Sequence, residues 1–551
     1  MPLPLWKVFQ KRGLFSREDL EEFFKPSLKN LTPPEKILGI DKAVFRTIKA
    51  YKNHEKIVVY GDYDLDGTPG VALLVSALKD MGFSQIQSYQ PSRLQEGYGL
   101  HKKAVRAFRQ EGVQLIITVD VGITDVEAVK EANHLGVDVI ITDHHQPKEQ
   151  LPEAYAIVNP NQRGCASGLC HLSGTGVAFY FVMALKQQMK KEGLLEREIN
   201  LKQYLDLFTL ATISDLVPLV KENRVLLKHG LLELQRTTRP GLKALLESLE
   251  LVDQKLLAEH VGYKIAPRLN ALSRLEEGVL PLDLLTVTSE PAARELVHKV
   301  HDIHKRRKAL QKEAFKEALE LWEASQQETF CWVWSKNFHQ GVISLVATQL
   351  AQHLGIPTFV GALLSNGQIV GSARKPDSVK MNLLEVLEQA PLLKFGGHPQ
   401  AAGFELSQDQ VTLFDEHLRA QSFSYENCEK CWNYDAEMSL EEVTPEFLKW
   451  LDACEPFGVG FEKPVFYFPA VEVLGLKELS GEHLRLSLGE GFGRVRKTAV
   501  WFSPKAQKRE ELQVGDIVDV LGVPQWNIFQ GTKSLQILVY DLCLSEEKKR
   551  F

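Results

Sequence analysis

From Ile57 to about Pro160 the chain alternates short apolar runs with longer helical stretches. Ile57–Tyr60, Gln85–Tyr89, Gln114–Val119 and Val137–Thr142 are the apolar runs; the first is short, β-branched and closed by Gly, as buried strands are. Pro69–Met81, Leu100–Gln110 and Asp125–Leu135 read as the helices between them. This alternation predicts an α/β domain with a parallel sheet, whose ligands sit at the carboxyl ends of its strands. Further on, Ser289-Glu290-Pro291 opens a stretch that reaches at least Gln327 without another Gly or Pro. Leu296, Val300, Ile303, Leu310, Ala314, Ala318 and Leu321 recur there mostly at three- and four-residue steps. That spacing predicts one helix of about 55 Å bridging two lobes. Phe330-Cys331-Trp332-Val333-Trp334, a helix from Val342 and Ile369-Val370-Gly371 predict a second α/β domain. Alternating strands such as Ile517-Val518 to Gly522 and Leu535–Tyr540 predict a small carboxyl-terminal barrel, and short helical fragments around Pro26, Pro33 and Pro34 an amino-terminal collar.

Composition bounds the class. The 551 residues suit three or four domains, with 44% hydrophobic and 25% charged residues, as in globular chains with real cores. A net charge of −6 means that any nucleic-acid contact must use local basic patches rather than a global field. No segment approaches the ~20 apolar residues of a membrane span, and the amino terminus lacks a leader pattern, so a cytoplasmic protein is expected. Seven cysteines form no framework, which suits a reducing compartment. Cys428 and Cys431 make one CxxC pair, and Cys165 precedes Cys170-His171; without a second CxxC, ordinary thiols are favoured over zinc.

The chemistry gathers at strand ends. Gly61-Asp62-Tyr63-Asp64-Leu65-Asp66-Gly67 follows the first apolar run, and in an extended segment its three carboxylates would share one side. Clustered carboxylates repel one another unless a cation neutralises them. Alone, the stretch could equally be a solvated acidic turn. Two more strand ends carry Asp120 and Asp143-His144-His145, and Asp215 follows a helical run with apolar flanks, where a carboxylate needs a charge partner. Parallel strands would bring Asp64, Asp66, Asp120 and His144 to one rim. Carboxylates with imidazole suit Mn²⁺ better than Mg²⁺. There are donors enough for two ions about 4 Å apart with one aspartate bridging, a geometry that activates water and holds phosphoryl oxygens.

These motifs resemble the DHH phosphoesterase superfamily, and within it the RecJ family of single-strand-specific 5′→3′ exodeoxyribonucleases. The resemblance continues through Pro91-Ser92-Arg93, Gly97-Tyr98-Gly99-Leu100, Leu172–Phe179 and Pro267–Arg274. Gly371-Ser372-Ala373-Arg374 and Phe395–Gly403 are similar to the DHH-associated domain, and the chain from about Trp432, with Pro456–Gly460, to an OB-type domain. The resemblance implies a two-lobed α/β protein: collar 1–45, DHH catalytic domain 46–225, helical connector 226–328, DHH-associated domain 329–425 and OB-type β-barrel 426–551. Its cleft would thread one strand and exclude a duplex.

The family pattern gives Asp64 and Asp120 to one ion and Asp66, Asp120, His144 and Asp215 to the other, with His145 facing the scissile phosphate. Asp62 and Asp143 fall behind these ligands. Arg93, Ser372 and Arg374 would hold a terminal 5′-phosphate, and Arg268, Arg274, Gly397 and His398 would join them in 5′-phosphate and strand binding. Arginine suits this because its planar fork meets phosphate bidentately. Leu65, Val121 and Ser273 stand where the family usually has Ala, Asn and Gly, and none removes a ligand. The implied activity is processive release of 5′-mononucleotides in recombination and repair, by a monomer with two Mn²⁺ or Mg²⁺ ions, with a single-stranded-DNA-binding protein and a helicase as partners. A smaller-substrate phosphodiesterase fits less well because such relatives are shorter and lack the OB-type domain; a non-catalytic strand-binding scaffold fits less well because all the ligands are present. The run His304–Lys308 reads equally as a strand channel or as a solvated face, and Trp501, Phe502, Trp526 and Phe529 more readily as barrel core than as base-stacking platforms.

Overall fold

β-branched Ile57, Val58 and Val59 favour a pleated backbone, and every residue of β1 (Ile57–Gly61) is buried. Beside it run β2 (Ile86–Tyr89), β3 (Leu115–Val119), β4 (Asp138–Thr142) and β5 (Ala156–Val158), in the order β2-β1-β3-β4-β5 and all parallel. β5, only three residues long, is too short for its pattern to show in the sequence. Gly61 pairs with Val119, and Val119 with Thr142, so three strands end abreast. The ladder continues for one more residue, as Asp62 donates to the Val119 carbonyl, Asp120 to Thr142 and Asp143 to Val158. Three acidic residues on neighbouring strand ends are thereby set side by side.

The computed structural model describes residues 1–325, 327–421, 423–425, 433–479, 483–491, 493–502, 511–529 and 532–545; Cys428 and Cys431 lie outside these. The chain divides into two units, one of Met1–Leu31, Pro218–Lys228 and Lys430–Phe551, the other of Thr32–Val217 and His229–Glu429. The expected collar is thus split between them. Helix Ile40–Lys52 joins the parallel sheet, where buried Arg46 bonds Glu55 at 2.6 Å and Asp138 at the start of β4 at 2.5 Å.

The second unit continues through β6 (Cys331–Ser335), β7 (Thr358–Leu363), β8 (Gln368–Arg374), β9 (Val379–Lys380), β10 (Lys394–His398) and β11 (Ala401–Ser407). Five of these form a mixed sheet in the order β10-β11-β8-β7-β6, parallel only between β6 and β7. The long helix spans Glu290–Ser325 and buries Ala293, Val297, Val300, Ile303, Ala314 and Ala318. It packs on Pro240–Ser248 and Ala266–Leu275 of the connector and on β6 and helix Ile343–Leu354 of the second sheet's lobe.

In the other unit, strand Phe466–Leu479 pairs with both His483–Glu490 and Ile517–Phe529, closing a five-stranded barrel to which the short strand Ala436–Glu437 is added at one edge. Strands Ile517–Phe529 and Thr532–Leu544 run further than their apolar alternation predicted. Pro524 would ordinarily end a strand, but a register shift at Leu521/Gly522 accommodates the bend. Trp501 is core, Phe502 is exposed against the His483 ring, and Trp526 bonds Asp452; the Phe529 side chain lies outside the described residues. Residues 1–31 supply Leu5, Val8, Phe9 and Phe23 to the barrel core, and Arg12 pairs with Asp435 at 2.9 Å. Among the described residues no helix is long and apolar enough to cross a membrane.

Phe9 is fully buried and meets Phe23 edge-on at 4.9 Å. Phe9→Ala should destabilise this unit by about 3–5 kcal/mol, read as an earlier denaturant transition of the barrel tryptophans. An unchanged transition would show that the amino-terminal helices do not complete its core.

Candidate metal centre

After the ladder bond of Asp62 the chain turns into helix Gly67–Asp80, so Asp64 and Asp66 do not continue the extended backbone that simple alternation implies. Each is instead oriented by its own partners. Asp64 Oδ1 accepts the Asp66 and Gly67 amides at 2.8 and 3.0 Å. Asp66 accepts the amides of Gly174 and Thr175 at 2.5 and 2.8 Å, where the first turn of helix Gly174–Lys191 offers unpaired N–H groups. Gly174 is required there, because a Cβ would lie 2.5 Å from the Asp120 Cβ.

Asp120 has φ +62°, a left-handed conformation that costs a non-glycine residue about 1–3 kcal/mol and that Asp and Asn tolerate best. Its carboxylate is buried at the meeting point of the cluster. His144 Nε2 lies 3.2 Å from Asp120 Oδ1, 3.6 Å from Asp215 Oδ2 and 3.7 Å from Asp66 Oδ2. Three carboxylates around one imidazole nitrogen are a donor set that could hold a metal ion. Asp62, Asp64 and Asp120 form a second group whose ligand atoms lie within 4.8 Å of one another. Asp62, expected behind the ligands, thus has an oxygen within that distance of the Asp64 and Asp120 carboxylates. Asp215 closes the first group from the carboxyl end of helix Leu205–Ser214.

The electrostatics ask for cations. Asp62 Oδ1, Asp120 Oδ1 and Asp215 Oδ2 are buried and accept no hydrogen bond. Burial and then Asp64 hold Asp62 well above the usual carboxylate range; burial and then Asp66, Asp64, Asp62 and Asp215 do the same to Asp120. Burial, with Asp66 and Asp64, pushes Asp215 up to about 8. Orphaned oxygens and imidazole are the donor set of a borderline divalent ion, so these residues fit the expected metal.

Asp143 has a different task. Burial would raise it, but the His145 ring, the charge on that ring and the amides of His145 and Ile123 outweigh burial and hold it below the usual range. His145 Nδ1 bonds Asp143 Oδ1 at 2.8 Å. Burial acts to lower the His145 pKa, but Asp143 and the charges of Asp66 and Asp215 bring it up to about 9. With Nδ1 engaged, the ring remains part-exposed. Tyr98, Asn159 and Asn161, to which the sequence reading assigned no role, support the pair. The Tyr98 hydroxyl lies 3.2 Å from His145 Nδ1, and the two amides donate to the His145 and His144 carbonyls. Their sequence signals are Gly97-Tyr98-Gly99 and Asn159-Pro160-Asn161, the latter directly after a strand.

A positive patch adjoins this negative one. The Arg93 guanidinium lies over the Tyr63 ring at 4.9 Å, and Tyr63 sits between Asp62 and Asp64. Arg274 is pulled down to about 9 by burial and then by Arg93, Arg307 and Arg374. Arg374 donates to the Ser372 hydroxyl at 2.9 Å. Arg93, Arg274 and Arg374 therefore lie near one another, with Ser372 bonded to Arg374, and they are joined by Arg307, which the sequence showed only as part of a basic run. The β10–β11–β8 register puts His398 in one row with Arg374, and Gly397 at φ +139° lets β10 approach Ala401 closely. Arg268 lies beside His301 and His304 of the long helix, and His304 also contacts Arg307 at 3.3 Å. Leu65, Val121 and Ser273 are all buried and direct no charged group at the cluster.

The DHH family N-terminal domain matches residues 56–212, the DHHA1 domain 327–421 and the RecJ OB domain 434–541. The chain is 33% identical to the single-stranded-DNA-specific exonuclease RecJ of Escherichia coli over 98% of its own length and 95% of that protein's. With RecJ of Bacillus subtilis the identity is 32%, over 97% and 67% of the two chains. The crystal structure of RecJ in complex with Mn²⁺ from Thermus thermophilus superposes with a TM-score of 0.78 at 27% identity, covering 98% of this chain and 76% of that one.

Without metal, each raised carboxyl binds its proton more tightly folded than unfolded. Metal-free stability should therefore fall as pH rises from about 4, the unfolded value, through about 8 at Asp215. Asp120→Asn keeps the left-handed backbone and removes one charge. It should raise the metal-free melting temperature by a few degrees, worth about 1–2 kcal/mol, and abolish the further rise that Mn²⁺ gives the parent. A variant that melts earlier and still responds to Mn²⁺ would contradict the assignment.

Proposed function

This chain belongs to the RecJ family of single-stranded-DNA-specific exonucleases and is a metal-dependent hydrolase; we propose that it degrades single-stranded DNA from the 5′ end, releasing 5′-mononucleotides. The observation that carries the polarity is the arginine cluster beside the carboxylates. Arg274 is pulled down by its cationic neighbours Arg93, Arg307 and Arg374, and such a cluster calls for an anion. A terminal phosphate, with up to two charges and three acceptor oxygens, satisfies several forked donors at once, whereas an internal phosphodiester has one charge and two free oxygens. Tyr63 joins this anion site to Asp62 and Asp64. A 5′-phosphate held there would leave the next phosphodiester at the carboxylates, so each cut frees one nucleotide.

In this reading Asp62, Asp64 and Asp120 hold one divalent ion, and Asp66, His144 and Asp215 hold the other with Asp120 shared. When bound, the two ions supply a lowered pKa for the attacking water and positive charge for the phosphoryl oxygens. The chain's own residues do the rest. Asp143 keeps His145 Nδ1 protonated and the ring fixed, which presents Nε2 to a phosphoryl oxygen. The Gly174 and Thr175 amides hold Asp66 in the orientation a ligand needs. The barrel, which matches the RecJ OB domain, is assigned to holding the trailing strand. Single-stranded DNA as substrate suits a monomer in the cytoplasm that receives its strand from a helicase and a single-stranded-DNA-binding protein, within recombination and repair.

Single-stranded DNA labelled at either end, digested with Mn²⁺ and with Mg²⁺, tests the polarity. The 5′ label should appear first as mononucleotide, and early loss of the 3′ label would refute it. Arg374→Ala should raise KM for 5′-phosphorylated strands about 10- to 100-fold, matching the roughly 1.4–3 kcal/mol of a charge-assisted contact, while 5′-hydroxyl strands change little. Equal loss on both ends would remove the assigned role.

A further inference from the structure

Helix Ala266–Leu275 ends in an unusual way. Its cap is Glu276 at φ +50°, ψ +45°, the left-handed seat that glycine normally takes at a helix carboxyl end. Gly278 stands only two residues further on, yet the seat is held by a residue for which it is strained. What occupies it has a long carboxylate, and that carboxylate reaches a segment 184 and 182 residues away in the chain. Glu276 Oε2 accepts the Ser92 hydroxyl at 2.7 Å, and Oε1 accepts the Leu94 amide at 3.2 Å. The residue between those two donors is Arg93. The same loop is held from within, since Ser92 N donates to Glu96 Oε2 at 2.8 Å and the Ser92 hydroxyl accepts the Gln95 amide at 3.0 Å.

Two residues before Glu276 is Arg274. Its guanidinium donates to the Gly341 carbonyl at 3.3 Å and to the Ser344 hydroxyl at 2.9 Å, on the lobe of the second sheet. Gly341 is needed for that approach, because a Cβ there would lie 1.9 Å from the Arg274 carbonyl oxygen. On the other side, Glu277 bonds Arg306 of the long helix at 3.2 Å, next to Arg307. Residues 274–277 thus touch the Arg93 loop, the second sheet's lobe and the long helix, which are the segments that carry the clustered cations.

We infer that Glu276 is a positioning residue: it clamps the Ser92–Leu94 backbone and so fixes the spacing of Arg93 and Arg274 for the terminal phosphate. Glu276 itself touches no substrate. A carboxylate suits the task because it accepts two donors at once, which neither a glycine cap nor a lysine could do. Like-charged Arg93 and Arg274 would otherwise move apart, so the clamp preorganises the pair before the anion arrives. This inference rests on the reading of the arginines as a terminal-phosphate site.

The variants are Glu276→Gly, which relieves the backbone strain and deletes the clamp, and Glu276→Gln, which keeps one acceptor. Steady-state kinetics on 5′-phosphorylated and 5′-hydroxyl single strands should show about a tenfold higher KM for the phosphorylated strand in E276G, with kcat changed less than threefold. The 5′-hydroxyl strand should be unaffected, E276Q should lie between, and the E276G melting temperature should not fall. A role confined to helix capping predicts the same stability but an unchanged KM for the phosphorylated strand, and that result would overturn the inference. Hydrogen exchange separates the clamp from the phosphate site. In E276G the Leu94 amide should exchange at least tenfold faster; unchanged exchange overturns the clamp whatever the kinetics show. Parent enzyme that treats both ends alike while Leu94 exchange still rises would instead refute the terminal-phosphate reading, and the clamp would stand.

Discussion

The second unit depends on a repulsion. Asp62 and Asp120 are carried side by side on neighbouring strand ends by a fixed parallel register, and Asp66 and Asp215 are pressed toward them by two helices. Among the described residues, the His144 and His145 imidazoles are the basic groups set against these carboxylates. At 4 Å and an effective dielectric of 20 two unit charges repel by about 4 kcal/mol, a large share of a domain's net stability. A fold that keeps such an arrangement, and adds left-handed strain at Asp120, is built around what neutralises it.

The positive patch obeys the same logic with opposite sign. Arg93, Arg274, Arg307 and Arg374 come from the first sheet's lobe, the connector, the long helix and β8, so the cluster exists only when those four segments are assembled. Tyr63 stands between the two patches, with its ring under Arg93 and its neighbours among the carboxylates. Two frustrated clusters of opposite charge, one calling for cations and the other for an anion, meet at one residue. In the proposed reading a phosphate-ended chain crossing from one to the other would answer both, and the terminal charge that only an end can offer would favour exonuclease over endonuclease action.

Much of this was legible in the chain. The parallel sheet was visible because β1, β3 and β4 are apolar runs, and the ligands because they follow those runs directly. What stayed hidden depended on conformation or on distant partners. The Asp62–Asp66 stretch looked extended, yet it turns after Asp62, so three similar carboxylates face different partners. The left-handed Asp120 had no signal except Gly122 two residues on. Arg307 could not be told from its charged neighbours, because only packing decides which member of Lys305–Lys308 turns inward. The collar divided because Arg12 finds its partner 423 residues away. Glu276 was invisible for a similar reason, since its donors lie in a loop of another lobe.

If the acidic rim is a two-metal centre, anomalous diffraction at the manganese edge from crystals grown with Mn²⁺ should show two peaks, one bounded by Asp62, Asp64 and Asp120 and the other by Asp66, His144 and Asp215. A single peak, or none within this cluster, would contradict it.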